Sequence, residues 1–113
     1  MRHSFTAVLS RNERFTGDFE TEPYEVGWAT EARLFVHVLE LTGAGATPGW
    51  DLAVQISPDG LFWCDLDAPS LTIDGPGLFT YSFREFGNWV RIRATAHAAD
   101  AMVRPIIYLA LKE

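Results

Sequence analysis

Imidazoles and carboxylates are the side chains best suited to chemistry near neutral pH, so their spacing decides which reactions are open. The three histidines, His3, His37 and His97, stand far apart in the chain. None belongs to an H-x-H or H-E-x-x-H spacing that would set two ligands on one metal. His37 lies between Val36 and Val38 on an apolar run, the place of a packed or interface imidazole, and His97 closes a polar strand face. Asp65, Asp67 and Asp74 gather around one turn region, but the D-x-D-x-D-G calcium loop with its closing Glu is missing. Solvated turn acids are the expectation there. No spacing marks a pair of carboxylates at glycosidase separation. Cys64 is the single cysteine, which leaves no intrachain disulfide and no Cys-based zinc site. No G-x-S-x-G, P-loop or dinucleotide fingerprint occurs either. The residues predict a non-enzymatic chain that needs no cofactor and no metal.

Binding chemistry is better represented. Trp28, Trp50, Trp63 and Trp89, with Tyr24, Tyr81 and Tyr108, supply large rings with polar tips. On an exposed sheet, Trp89 with Trp28 or Trp63 could stack on a sugar while Asp65 or Asp67 grips its hydroxyls. Carbohydrate is therefore one partner this chemistry allows. Trp50 falls in a core-facing register, whereas Trp89 falls on an outward face beside Arg91 and Arg93. These two arginines lie two residues apart, and their planar guanidinium forks suit carboxylates of a neighbouring subunit. Losing both side chains is expected to weaken assembly and leave the protomer folded.

The elements that must carry these residues are strands, because alternation of period two dominates the chain. In Trp50 to Ser57, Trp50, Leu52, Val54 and Ile56 point one way and Asp51, Ala53, Gln55 and Ser57 the other. In Gly87 to His97, Val90, Ile92, Ala94 and Ala96 face inward, and Trp89, Arg91, Arg93, Thr95 and His97 outward. Met102 to Leu111 aligns Val103, Ile107, Leu109 and Leu111, and Pro105 predicts an edge position or a bulge there, since it cannot donate to a ladder. Ala32 to Leu41 is apolar on both faces, with Leu34, Val36 and Val38 on one and Phe35, Leu39 and Leu41 on the other. A strand of that kind is covered on both sides or meets another subunit, which makes Phe35, His37 and Leu39 interface candidates. Phe79, Tyr81 and Phe83 share a face, and weaker strands are expected at 5–10, 15–19 and 24–28.

Turn residues separate these runs. Ser57-Pro58-Asp59-Gly60 is a tight turn by residue chemistry, as are Asp74-Gly75-Pro76-Gly77 and Gly87-Asn88, while 42–49 is a small-residue loop. Regular turn spacing and about seven to eight strands predict an all-β chain, a single antiparallel β-sandwich of jelly-roll type. With 113 residues and 48% hydrophobic content, one domain over 1–113 with one core is expected. Net charge −6 argues against nucleic acid as a partner, because phosphate affinity comes from clustered Lys and Arg. No apolar run is long enough to span a bilayer and the first residues do not resemble a secretory signal, so no membrane partner and synthesis in the cytoplasm are expected. Six of the fifteen acids (Glu13, Asp18, Glu20, Glu22, Glu25, Glu31) fall within 1–31, and five of the nine bases (Arg84, Arg91, Arg93, Arg104, Lys112) follow residue 83. They pair between neighbouring strands, or the acidic N-terminal segment reaches a basic face on another copy.

From Leu34 onward the order of features resembles small β-sandwich structural proteins of tailed phages and prophage-derived particles. An apolar strand leads to a Gly/Ala/Thr-Pro loop, then a strand ending in S-x-D-G-x-x-W, here Ser57, Asp59, Gly60 and Trp63, and later V-R-[IV]-R, here Val90-Arg91-Ile92-Arg93. The same turn also resembles those of discoidin-like carbohydrate-binding sandwiches, which are longer and often disulfide-closed. The phage-type resemblance implies a structural subunit, decorating a shell or tail, that forms a homo-oligomer or docks on a larger particle. It also implies association with a virion.

Overall fold

The computed structural model describes residues 4–11, 13–43, 49–66, 70–98 and 100–113. Asp67, His3 and most of the loop 42–49 fall outside these residues. Eleven strand segments follow in chain order: β1 Ser4–Ser10, β2 Phe15–Thr16, β3 Phe19–Glu20, β4 Tyr24–Glu25, β5 Glu31–Thr42, β6 Trp50–Ser57, β7 Cys64–Asp65, β8 Leu71–Ile73, β9 Gly77–Arg84, β10 Trp89–Ala96 and β11 Met102–Lys112. All pairings are antiparallel, and no helix occurs among the described residues.

Two sheets form the sandwich. The first runs β1-β11-β5-β9 with β2 also on β11; the second runs β3-β10-β6-β7, with β4 also on β10 and β8 on β6. The short segments therefore merge in pairs, β1 with β2, β3 with β4, and β7 with β8. Eight strands result, in two four-stranded sheets whose order is that of a jelly roll with its two Greek keys. The expected strand count and architecture both hold.

The core lies where the alternating positions of the two sheets meet. Leu34, Val36 and Val38 of β5 and Val103, Ile107, Leu109 and Leu111 of β11 face Trp50, Leu52 and Val54 of β6 and Val90, Ile92 and Ala94 of β10. Trp50 is completely enclosed, and its indole Nε1 donates to the Gly17 carbonyl at 2.9 Å. That bond ties β6 to the turn between β2 and β3, where Phe15 stacks on Phe19 at 3.9 Å.

Two details differ from simple alternation. Pro105 lies in a central strand, since β11 pairs with β1 on one side and β5 on the other, so of the two expected positions only the bulge is realised. The register shifts between Arg104 and Pro105, where Glu40 and Val38 are successive partners and Leu39 is passed over. The extra residue reverses which face follows it. Leu41 consequently turns towards the core, packed against it rather than lying with Phe35 on the outer face. In β6 the alternation fails at its end, where Gln55 and Ser57 are buried and Ile56 is half-buried.

Candidate interaction surfaces

The two outer faces of the sandwich are chemically unlike. On the β10–β6 sheet the outer rows are polar and internally bonded. Gln55 donates through Nε2 to Asp65 Oδ1 at 2.9 Å and accepts from Arg91 Nε at 2.8 Å. Arg91 also meets Glu20 at 3.5 Å and lies over the Trp63 ring, 4.4 Å from its centroid. With its side chain only 18% exposed, Arg91 is committed within the chain. Arg93 beside it is exposed, with Glu20 as one cross-strand neighbour. The structure thus gives the two arginines different surroundings, although sequence spacing treats them alike.

Beyond the Ala53–Arg93 row on the same face, Thr72 Oγ1 donates to Asp51 Oδ1 at 2.7 Å and His97 Nε2 lies 3.2 Å from the same oxygen. The Thr72 bond, then His97, holds the Asp51 carboxyl below the usual carboxylate range. A hydroxyl, a carboxylate and an imidazole meet here in an order unsuited to nucleophilic catalysis. The carboxylate is central, whereas a relay needs the imidazole between the other two. Spacing could not have shown this cluster, which joins Asp51 of β6, Thr72 of β8 and His97 just past the end of β10. Among the described residues no three His, Cys, Asp or Glu side chains gather as metal ligands.

The turn motif is built as its residues dictate. Ser57 Oγ accepts from the Gly60 amide at 2.8 Å and the Asp59 amide at 3.2 Å, and donates to Asp59 Oδ1 at 3.0 Å. Asp59 Oδ1 also accepts from the amides of Leu61 and Phe62 at 2.9 and 3.2 Å. Those two amides hold the Asp59 carboxyl below its usual range. Gly60 has φ of 79°, and a Cβ there would sit 3.4 Å from the Trp89 indole. Trp89 on β10 thus packs under the turn after β6 and is half-buried, while Leu61 and Phe62 project at 76% and 78% exposure.

Opposite, the outer face of the β11–β5 sheet has an apolar middle, with polar and charged residues towards its Glu31–Lys112 end. Pairing places Val8, Tyr108, Phe35 and Thr80 in one row and Ile106, His37 and Leu78 in the next. Val8 and Leu78 are 43% and 65% exposed, and His37 is exposed between half-buried Phe35 and Leu39. No third layer of secondary structure covers this face among the described residues. Towards the strand end that holds Glu31 and Lys112, the face opens into a concavity of about 550 Å³ floored by Phe35 and rimmed by Arg33, Arg84 and Lys112. At the same end Phe5, Tyr24, Trp28 and Glu113 line an open cleft of about 410 Å³.

The charge asymmetry along the sequence is partly spent within the chain, since Arg84 meets Glu31, Arg91 meets Glu20 and Arg104 meets Glu40. The described part of the N-terminal segment supplies strands to both sheets. It leaves Glu22 and Glu25 exposed on the β3–β4 flank.

No protein-family model matches the sequence, and a search of curated proteins finds no match. Solved structures do match. The SPBc2 prophage-derived protein YomS aligns over 100% of this chain and 96% of its own, with a TM-score of 0.62 and 10% identity. The VP2 subviral particle of infectious bursal disease virus aligns over 98% of this chain and 32% of its own, with a TM-score of 0.58 and 12% identity. The CBM22-1–GH10 modules of Clostridium thermocellum xylanase 10B, complexed with xylohexaose, align over 96% of this chain and 24% of theirs, with a TM-score of 0.54 and 11% identity. The chain thus spans nearly the full prophage-derived protein but about a third and a quarter of the other two. At these identities the likeness is one of fold: a β-sandwich similar both to prophage and viral proteins and to a carbohydrate-binding module.

Proposed function

We propose that this chain is a non-enzymatic structural subunit that associates with other copies of itself in a phage-like particle. One observation carries the reading: on the outer face of the β1-β11-β5-β9 sheet, Val8, Ile106, Tyr108, Phe35 and Leu78 form an apolar group that no secondary structure covers among the described residues. Contiguous apolar patches of more than a few hundred Å² are uncommon on proteins that act alone, and burying them contributes roughly 25 cal/mol per Å². The opposite face, bonded through Asp65, Gln55, Arg91 and Glu20, is what a sandwich turned to water looks like. A prophage-derived structural neighbour of nearly the same length agrees with this reading. Negative-stain electron microscopy of the purified protein should show closed rings or tubes. A uniform field of particles of protomer size would contradict it.

A second reading, a carbohydrate-binding module, is favoured by one feature, the cleft of Phe5, Tyr24 and Trp28 beside Glu113. Of the tryptophans weighed for such a role, Trp89 is covered by Gly60 and Trp63 by Arg91, which leaves Trp28. Retardation on a polysaccharide resin that vanishes in Trp28→Ala would support the module. Co-elution of both proteins with an inert marker would exclude it.

A further inference from the structure

Three of the nine cationic side chains of this acidic protein, Arg33, Arg84 and Lys112, converge on a concavity of the outer β11–β5 face. Glu31 is the one carboxylate among the described lining residues and meets Arg84 at 3.2 Å, so these side chains carry more positive than negative charge. The Arg84 side chain is 76% exposed, and Arg33, which donates to Thr80 Oγ1 at 3.1 Å, is exposed as well. Two copies stacked symmetrically over this concavity would set like charges against each other, an arrangement that costs affinity. The chain carries the complementary surface elsewhere. Glu22 and Glu25 stand exposed on the flank formed by β3 and β4.

These two surfaces belong to different sheets, although both lie towards the strand end that holds Glu31 and Lys112. The acidic flank lies at the edge of its sheet, beside β10, on the side that β1 and β2 share. The cationic rim lies on the outer face of the other sheet and draws on β11, β5 and the far edge strand β9. Resting on the self-association reading above, we infer that the concavity of one copy receives the Glu22–Glu25 flank of the next, a head-to-tail contact. Contacts of that type repeat around a ring if the rotation closes and along a tube if it does not. The apolar floor around Phe35 supplies area, and the charges set register and exclude the symmetric stack.

Paired charge reversals test this by sedimentation at about 0.15 M salt, where surface charges act over roughly 8 Å. Glu22→Lys/Glu25→Lys alone and Arg33→Glu/Lys112→Glu alone should each weaken self-association at least about tenfold, and an equimolar mixture of the two should restore it. Circular dichroism of each variant confirms that the sandwich is retained. Native protein that assembles while both reversed proteins assemble equally well would overturn the head-to-tail contact and leave self-association standing. A mixture that stays unassembled would also overturn it. Native protein that never assembles would remove the reading on which the inference rests.

Discussion

At the scale of single residues, the turn after β6 shows how side-chain oxygens substitute for a hydrogen-bonded ladder. Ser57 and Asp59 between them engage four backbone amides, so the chain reverses within a few residues and presents Leu61 and Phe62 on a fixed tip. The folded state holds the Asp59 carboxyl below its usual range, so its contribution is complete above the unfolded value near ~4 and is lost as pH falls through the folded one. Asp51 follows the same sign. The urea midpoint should therefore drop on acidification below about pH 4, and drop less steeply in Asp59→Asn, which keeps an acceptor but no titration. Parallel curves for the two proteins would exclude this role for Asp59. Arg91 provides a second case. Its bond to Gln55, its ion pair and its packing on Trp63 all lie within the chain, so Arg91→Ala should cost about 1.5–3 kcal/mol in denaturant unfolding, and Arg93→Ala far less. Equal midpoints for the two variants would contradict it.

Elements are where the sequence was most legible, and its failures there have physical causes. Strict alternation in β10 and β11 reports directly which side chains line the core, because a pleated strand has only two faces. The bulge opposite Arg104 and Pro105 interrupts that rule, and only the pairing of two strands reveals that Leu39 is skipped and Leu41 turns inward. Gln55 is buried for a similar reason, as its partners Asp65 and Arg91 come from other strands that bring their polar groups with them. The motif turn and the outward face of Trp89 could be read from spacing. The separation of Phe35 and His37 from Trp89 and Arg91, onto opposite outer faces, could not, because it depends on which sheet each strand joins. Trp50 links this scale to the last. Its buried Nε1 bond to Gly17 anchors the β2–β3 turn, so Trp50→Phe should cost about 1–3 kcal/mol for the lost bond alone. Hydrogen exchange at 15–20 should accelerate in that variant. Unchanged exchange there would show that ring packing, not the bond, holds the turn.

For the whole molecule, the sandwich buries one side of each sheet and leaves two unlike faces, one polar and bonded, one apolar with a cationic concavity. That asymmetry is the basis for reading the chain as a part of something larger. Multi-angle light scattering across a dilution series measures it most directly, comparing native protein with Phe35→Arg/Tyr108→Arg. The account predicts native species well above the 12.6 kDa protomer that dissociate on dilution, and a double variant that is folded yet has the protomer mass throughout. Native protein with the protomer mass up to about 1 mM, where even contacts of roughly 4 kcal/mol are populated, would contradict it.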